Sequence, residues 1–333
     1  MMYAPRVSII MPAHNVQRFV TEAIDSIAVQ TFQSFELILV DDGSTDATPE
    51  ILLSAKESWP PTSGELKLLH QPNAGAACAR NTGVAKAKGD LVAFIDADDR
   101  WSPDTLAHLV ETLDGFPKCD IACPRYRRIN EDGEEVNYLG EQVRATQQPS
   151  NEINLFDAGE TLVGSPAESA TGVLVRLDAF KAGGGFDTTL KSNNDIDCWL
   201  RILCARRSKL VKCGHAFVDY RIRSAQITSD VRRMQEGHKR FLRNHETLLR
   251  DIGVFGRMRH FGLVRAYWSL IAARHKQVGT ALRFWLASVM FYPYLVLPGT
   301  LGSSAAFAII KVVLPKALWQ GISAIRRRLR PRT

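Results

Sequence analysis

The chain has 333 residues, of which 45% are hydrophobic and 23% charged, which is enough for one large globular α/β domain and an appendage. Its formal net charge of +7 is unevenly divided: residues 1–200 hold 16 Lys and Arg against 30 Asp and Glu, a net charge of −14, and residues 201–333 hold 26 against 5, a net charge of +21. So basic a C-terminal part predicts an anionic partner, either nucleic acid or an anionic membrane face.

The cysteines and the N-terminus indicate a cytoplasmic protein. None of the six cysteines belongs to a Cys-x-x-Cys pair, and Cys119 and Cys123 lack a second pair or nearby histidines to complete a zinc site. We therefore expect reduced thiols. The first residues, MMYAPRVSIIMP, contain too short an apolar run for a signal peptide.

The first hundred residues alternate between short apolar runs and helical patterns. Strands are predicted at 7–11, 35–40, 66–69 and 91–95, and helices at 16–27, around 51–53, at 73–89 and from 102 onwards. Apolar strands separated by helices predict an α/β fold, with a mostly parallel central sheet and helices on both faces.

Polar clusters follow three of these strands, at residues 12–15, 41–46 and 96–99. In open parallel sheets, ligands bind beyond the carboxyl ends of the strands, so we expect the three loops to form one crevice. The alternative is that these loops are polar only because they face water.

The sequence LVAFIDADD at 91–99 ends a buried strand in three carboxylates. Such carboxylates repel one another unless a cation lies among them. Because residues i and i+2 of an extended segment project from the same side, Asp96 and Asp98 can reach one object. Their oxygen atoms suit Mg²⁺ or Mn²⁺ carrying a substrate phosphate. The alternative is a solvated acidic turn closed by a helix cap.

Beyond residue 101 the pattern is weaker, and residues 125–169 cannot be assigned. GVLVR at 172–176 predicts a strand, and GGGFD at 183–187 predicts a flexible turn. SNNDIDCWLRILCARR then predicts a helix with Asp197 and Arg201 paired on its outer face. Its apolar stripe consists of Ile196, Trp199, Leu200, Leu203 and Cys204.

Asp195 falls in the first turn of this helix, beside the apolar stripe. A carboxylate there is favoured by the helix dipole and need have no other role. It could equally point into the crevice and act as a general base. Spacing alone does not decide between the two.

Five motifs occur along the chain in this order: VSIIMPAHN, FELILVDDGSTD, NAGAACARNTGVAKAKGDLVAFIDADD, GGGFD and NDIDCWLR. Together they resemble the family 2 glycosyltransferases of GT-A fold. The resemblance covers residues 6 to about 225. It implies a catalytic domain at 1–225, with a nucleotide-binding half at 1–100 and an acceptor-binding half at 101–225. It also implies an inverting enzyme of bacterial polysaccharide or glycolipid synthesis that uses Mn²⁺ or Mg²⁺.

The resemblance also assigns roles to individual residues. It implies that Asp42 accepts hydrogen bonds from the base, that Asp98 binds the metal directly with Asp96 near the ribose or the metal, and that Asp195 is the catalytic base. The residues implied to bind the nucleotide sugar are Pro12, Ala13, His14, Asn15, Asp42, Asn73, Gly75, Arg80, Asp96 and Ala97.

The chain departs from the family pattern in two places. Many members have Glu-Asp where this chain has Asn194-Asp195, which puts acceptor positioning in question more than chemistry. Processive synthases carry a Gln-x-x-Arg-Trp motif after the base and several membrane spans, and both are missing here. We therefore expect transfer of single sugars, by default from a UDP-sugar. Arg221 or Arg223 could add charge at the leaving group or could serve only in ion pairs.

Residues 226–333 form a basic extension. The apolar spacing predicts a helical hairpin joined near Lys276-Gln277, and residues 284–310 carry no charge but are interrupted by prolines and glycines. The end, AIRRRLRPR, holds five arginines. This pattern favours a helix lying on an anionic membrane at the inner face of the cell membrane. A true span, a helical pair packed on the catalytic domain and a homodimer contact are the alternatives.

Two other functions fit parts of the chain. A sugar-phosphate nucleotidyltransferase also needs a carboxylate metal site, but it would carry a Gly-rich basic loop after the first strand, where this chain has PAHN. A basic nucleic-acid-binding protein would interleave its positive charge with stacking aromatic residues, whereas here the charge lies beside apolar stretches.

Overall fold

The computed structural model describes residues 4–60, 64–137, 150, 152–223, 231–275 and 277–293. Its strands are β1 (Val7–Ala13), β2 (Phe35–Asp42), β3 (Glu65–Gln71), β4 (Leu91–Phe94), β5 (Arg100–Trp101), β6 (Cys119–Ile129), β7 (Ile153–Phe156), β8 (Leu174–Arg176) and β9 (Lys209–Arg221). Its helices are α1 (Val20–Ala28), α2 (Thr48–Glu57), α3 (Ala76–Val84), α4 (Thr105–Gly115), α5 (Ala158–Val163), α6 (Leu177–Ala182), α7 (Asn194–Arg206), α8 (Val231–Asn244), α9 (Glu246–Asp251), α10 (Gly253–Arg274) and α11 (Val278–Phe291).

The strands form one sheet in the order β3-β2-β1-β4-β8-β6-β9-β5, and β7 pairs with β9. Strands β3, β2, β1 and β4 are parallel, β6 is parallel to β9, and β8 runs antiparallel between β4 and β6. Within the described residues, β5, β7 and β8 are the strands of opposite direction. The predicted mostly parallel central sheet is therefore confirmed.

Alternate residues of the central strands enter two separate cores. Ile9 of β1 packs with α1, α2 and α4 on one face of the sheet, whereas its neighbour Ile10 packs with α3, α6 and α7 on the other. Both side chains are fully buried. A strand covered by helices on both faces must be apolar throughout, which is why the sequence of β1 shows no alternation.

The predicted helix at 73–89 is too long, because α3 ends at Val84. The backbone N–H of Lys88 donates to Glu36 Oε1 at 2.7 Å, and that of Gly89 donates to Ser8 Oγ at 2.9 Å. Both acceptors are buried between β1 and β2, and a longer helix would have lost these two hydrogen bonds. Hydrogen bonds to residues of β1 and β2 therefore end α3 earlier than its local sequence predicts.

The structure contains two long strands that the sequence did not indicate: β6, which enters the unassigned stretch 125–169, and β9, which follows α7. Their sequences, CDIACPRYRRI and KLVKCGHAFVDYR, contain charges and a proline that mask the strand pattern. The register shifts between Cys123 and Arg125, on either side of Pro124, which lacks a donor for the ladder. Asp219 of β9 accepts from Arg127 Nε at 2.7 Å and from Arg100 Nε at 2.6 Å, so the charges pair within the sheet.

The predicted C-terminal hairpin is confirmed as α10 and α11. The rings of Trp268 and Phe284 lie 5.4 Å apart, and Ser269 Oγ donates to Ala281 O at 2.7 Å. The imidazole Nδ1 of His260 lies 2.7 Å from Leu162 O, which ties α10 to α5. In the part of the chain that the structure describes, no helix is long and apolar enough to cross a membrane. Residues 294–333, with the arginine-rich end, and the proposed boundary near 225 lie outside the described residues.

Asp197 does not lie on the outer face of its helix, as the spacing suggested, but is fully buried. Its carboxylate accepts from Arg201 Nε at 2.8 Å and from Asn244 Nδ2 at 3.2 Å, and it lies 3.0 Å from His245 Nε2. The i,i+4 pair with Arg201 is therefore correct, but the carboxylate joins α7 to the end of α8. Helices α8 and α9 cover the face of α7 that the sequence predicts to be the outer one.

Replacing Asp197 by alanine should lower the free energy of unfolding by about 3–5 kcal/mol, because a buried ionic network loses its shared carboxylate. Burial acts to raise the pKa of Asp197, but hydrogen bonds from His245 and Arg201 hold it below the ordinary 3.8. A depressed carboxyl pKa contributes stability above the unfolded-state pKa and loses it in acid. The difference from wild type should therefore shrink below about pH 4 in urea denaturation.

Glu246→Ala is the matched control, because Glu246 forms an exposed i,i+4 ion pair with Arg250 on the neighbouring α9. Its removal should change the free energy of unfolding by less than about 1 kcal/mol. Equal losses in the two variants would contradict the role given to Asp197.

Candidate functional site

The loops after β1 and β2 are joined side by side at the carboxyl edge of the sheet. His14 Nδ1 lies 2.9 Å from Asp42 O, and Asn73 Nδ2 lies 3.0 Å from His14 Nε2. The Asn15 amide N–H donates to Ser44 Oγ at 3.1 Å, and Thr45 N–H returns a bond to Asn15 Oδ1 at 2.8 Å. Two of the polar clusters that the sequence marks therefore meet, and the start of α3 joins them.

The four residues Pro12 to Asn15 divide into a buried and an exposed pair. The side chains of Pro12 and Ala13 are buried at the end of β1, so a ligand could meet only their backbone. His14 and Asn15 are exposed and face the crevice rim. The two polar side chains are therefore the ones available to a bound base.

Asp42 organises the loop before α3. Its Oδ1 accepts from Ala74 N at 2.8 Å and from Gln71 Nε2 at 2.7 Å, and its Oδ2 accepts from Gly75 N at 2.8 Å. The residue is only 3% exposed. Its carboxylate thus already holds three donors, and contact with a base, the role implied from the sequence, would add to this scaffold role.

Gly75 leaves open space above the start of α3. Its φ of +89° belongs to the region that favours glycine, and a Cβ placed on it would meet no atom within 4 Å. Backbone at this position can therefore be approached closely by a ligand, as phosphate and sugar groups require.

Asp96 is held in place by three elements. It forms an ion pair with Arg80 of α3, its Oδ2 accepts from Ser169 Oγ at 3.3 Å, and its backbone N–H donates to Thr171 Oγ1 at 3.2 Å. Arg80 is 5% exposed, and its guanidinium lies 5.4 Å from the centre of the Phe186 ring. Phe186 belongs to the GGGFD motif, so that turn supports the arginine that orients Asp96.

Asp98 and Asp99 are buried and are met by arginines of β9 and the residues after it. Arg223 Nε lies 2.6 Å from Asp98 Oδ2, and Arg221 donates from its backbone N–H to Asp99 Oδ1 at 2.7 Å and from Nε to Asp98 O at 2.8 Å. Burial raises the pKa of both carboxyls, and the charge of Asp96 acts in the same direction. This loop therefore carries more negative charge than its surroundings stabilise fully.

The donor set suits a divalent cation that arrives with its own phosphate ligands. The described residues contain no cluster of three or more potential metal-binding side chains. Mg²⁺ and similar ions are commonly held by one or two carboxylates together with substrate phosphates and water. Asp98 and Asp96 supply hard oxygen atoms in an electronegative loop, so they fit such an ion. Ala97 between them is 3% exposed and packs in the core.

Asp195 lies in the same crevice, on its far wall. It begins α7, and its Oδ1 accepts from Ile196 N at 2.8 Å. Burial raises the pKa of the Asp195 carboxyl and the nearby Asp96 acts in the same direction, whereas Arg80 opposes them. A buried carboxylate with a raised pKa, close to Asp96, can act chemically as a general base.

Several residues around the crevice were not indicated by the sequence. Ser169 and Thr171, which fix Asp96, lie at and just beyond the end of the stretch that gave no periodicity, and the Tyr126 hydroxyl donates to Thr171 O at 3.1 Å. Tyr267 of α10 interacts electrostatically with Asp195. Only the length of α10 and its packing on α5 bring Tyr267 there, and no local motif signals it.

The model of glycosyl transferase family 2 matches residues 8–181, slightly more than half of the chain. Among curated proteins, an uncharacterized glycosyltransferase of Rickettsia typhi is 27% identical over 293 residues, covering 83% of this chain and 87% of its own length. The uncharacterized glycosyltransferase EpsJ of Bacillus subtilis is 34% identical over 157 residues, which is 47% of this chain and 44% of its own.

Solved structures share the fold. The first 349 residues of S. aureus TarS superpose with a TM-score of 0.57 at 19% identity, covering 98% of this chain and 93% of that one. The same fragment has been crystallised with UDP and with UDP-GlcNAc. GalNAc-T7, solved with UDP, GalNAc and Mn²⁺, gives a TM-score of 0.54 at 18% identity, covering 73% of this chain and 48% of that one.

Proposed function

The chain belongs to glycosyltransferase family 2, and we propose that it moves a single sugar from a nucleotide-diphosphate sugar, by default a UDP-sugar, to a hydroxyl of a glycan or lipid-linked acceptor. The observation that carries this proposal is the placing of Asp96, Asp98 and Asp195 around one crevice, next to the joined loops of His14 and Asn73. Residues 1–225 would form the catalytic domain, and residues 226–333 a basic extension.

The nucleotide would lie across the ends of β1 and β2. His14, Asn15 and Asn73 offer exposed donors and acceptors for the base, and Asp42 keeps their loops together. Gly75 and Arg80 border the path from there to Asp96. The neighbours crystallised with UDP support UDP as the first nucleotide to test.

Asp98, with Asp96 beside it, would hold a divalent cation, Mn²⁺ or Mg²⁺. Such an ion stabilises negative charge on a departing diphosphate. Arg223 already contacts the Asp98 carboxylate, so its guanidinium is also placed to attract diphosphate oxygens. Arg221 is 1% exposed and bonded to the backbone of the loop, so its role is structural.

Asp195 would take a proton from the acceptor hydroxyl as that oxygen attacks the anomeric carbon from the face opposite the leaving diphosphate. One displacement of this kind inverts the configuration. The raised pKa of Asp195, caused mainly by burial, brings the carboxylate closer to the operating pH, where a base works best. We expect a single sugar per cycle.

The C-terminal hairpin is proposed to rest on an anionic membrane at the cytoplasmic face. Exposed apolar side chains occur on both of its helices: Phe255 of α10 is 86% exposed and Met290 of α11 is 74% exposed. The rings of Phe261 and Phe291 lie 5.8 Å apart, so the middle of α10 and the end of α11 are neighbours. Exposed apolar side chains on a basic chain fit an interfacial surface and a lipid-linked acceptor.

Nucleotide binding tests the donor site. Titration of the protein with UDP, GDP and dTDP, each with and without Mn²⁺, should show metal-dependent binding of one nucleotide. Asp98→Ala should weaken that binding at least about tenfold, because the cation loses a charged ligand and the diphosphate loses the cation. Asp25→Ala, an exposed carboxylate on α1, is the control. Metal-independent binding, or equal binding by Asp98→Ala, would count against the metal site.

Asp195→Asn should reduce kcat by about 10²–10⁴-fold and leave nucleotide binding unchanged, because only proton transfer is removed. In wild type, the rate should fall as pH decreases through a pKa above the ordinary value of 3.8, since the protonated base is inactive. Asp251→Asn, an exposed carboxylate on α9, should keep the wild-type rate and profile. An acid limb retained in Asp195→Asn would assign the base elsewhere.

Vesicle sedimentation tests the membrane proposal. The full-length protein should pellet with phosphatidylglycerol vesicles and remain in solution with phosphatidylcholine alone, because both charge and apolar surface contribute. The double change Phe255→Asp and Met290→Asp should weaken binding. Val29→Asp, at a residue 59% exposed on the catalytic part, should not. A protein that stays in the supernatant in every case would refute membrane docking.

A further inference from the structure

A second cavity lies between the catalytic part and the end of α10. Its volume is about 530 Å³, and Asn130, Glu131 and Ile222 line it on one side, with Arg274 and His275 on the other. Polar and apolar groups contribute almost equally to its lining, and it is large enough for a sugar unit with one attached group. Neither the family match, which ends at residue 181, nor the roles proposed above give it a purpose.

Arg274 is a half-buried cation without a partner among the described residues. It forms no hydrogen bond and no ion pair with any residue between 4 and 293 that the structure describes. Burial lowers the pKa of its guanidinium, and the neighbouring groups that act on it are the phenols of Tyr220 and Tyr267. Holding a charge in such a place without compensation is unfavourable, which suggests that a ligand supplies the compensation.

The carboxylates that line the cavity do not pair with Arg274. Glu131 is occupied by Arg18, whose Nη1 lies 2.8 Å from Glu131 Oε2. Asp132 is exposed and makes no ion pair with Arg274 in the described structure. Among the described residues, the positive charge at the end of α10 therefore has no carboxylate partner.

The cavity adjoins the proposed reaction centre through one of its walls. Its wall at Asn130 and Glu131 is fixed by Arg221, whose Nη1 donates to both carbonyl oxygens at 3.1 Å and whose Nε donates to Asp98 O. A smaller cavity of about 250 Å³, lined by Asn15 and Arg223, lies on the donor side. Arg18 and Glu131 line both cavities, so the two are neighbours.

We propose that the 530 Å³ cavity is an acceptor subsite, and that Arg274 binds a phosphate group carried by the acceptor. Arginine is suited to this because its planar guanidinium offers paired donors to phosphate oxygens. The inference rests on the proposed function. It also makes the end of α10 part of the reaction site, so the extension selects the acceptor as well as any surface it docks on.

A phosphate could come from a lipid diphosphate or from a phosphodiester polymer, and three probes separate these sources. They are N-acetylglucosamine as an uncharged methyl glycoside, the same sugar on farnesyl diphosphate, and a glycerol phosphate tetramer. Binding of each is measured by calorimetry to the full chain with UDP and Mn²⁺ present. One phosphate-bearing probe should bind at least about tenfold more tightly than the methyl glycoside, since a charge-assisted pair is worth that much.

The variants assign this preference to one residue. Arg274→Gln should weaken binding of the preferred probe at least about tenfold. Arg274→Lys should weaken it less, because lysine keeps the positive charge and loses only the paired donors of the planar guanidinium. Arg259→Gln is the matched control, since it removes an exposed arginine from the same helix outside the cavity. It should bind the probe as wild type does.

The outcomes are distinct for the site and for the proposed function. Equal binding of all three probes by wild type, no binding of either phosphate probe, or equal losses in Arg274→Gln and Arg259→Gln would each overturn the assignment. So would a loss of UDP affinity in Arg274→Gln equal to the loss for the probe, because the arginine would then serve the donor. Absence of UDP binding by wild type would instead refute the donor site, while the probe titration without nucleotide still decides the role of Arg274.

Discussion

The concentration of negative charge at the end of β4 is the constraint on which the rest of the site depends. Asp96, Asp98 and Asp99 follow a fully buried strand, where water cannot stabilise them well. Three arginines contact these carboxylates: Arg80 of α3, Arg221 at the end of β9 and Arg223 just after it. Arg80 is more than a hundred residues from the other two in sequence, so their meeting requires the whole sheet to have formed. A divalent cation with a diphosphate would complete the balance that the arginines begin.

The two halves of the sheet form different walls of the crevice. The parallel half, β3-β2-β1-β4, ends in loops that fasten to one another through His14, Asp42 and Asn73, and it offers a rigid edge for a nucleotide. The mixed half, β8-β6-β9-β5, forms the opposite wall of the crevice. Strand β8 follows the Ser169–Thr171 segment that holds Asp96, and α7 carries Asp195 at its first turn. Because one sheet spans both, strand pairing sets the distance between the loops after β1 and β2 and Asp195.

The C-terminal helices matter to this site in two ways. Through Asn244 and His245 they contact Asp197, two residues after Asp195, and so fix the start of α7. Through Tyr267 and Arg274 they reach the far end of the crevice. A region that reads in sequence as a basic appendage is thereby packed against the crevice.

The sequence by itself determined the class of the fold, the family and the carboxylates of the crevice, because these reside in local features: apolar strands buried on both faces, turns after them, and Asp-x-Asp at a strand end. Only the tertiary structure decided what lies opposite those carboxylates. Strands β6 and β9 escaped prediction because their charges pair across the sheet, Asp197 proved buried because α8 covers it, and Tyr267 and Arg274 carry no local signal. Ion pairs and helix packing join residues far apart in sequence, and no periodicity within a single segment records them.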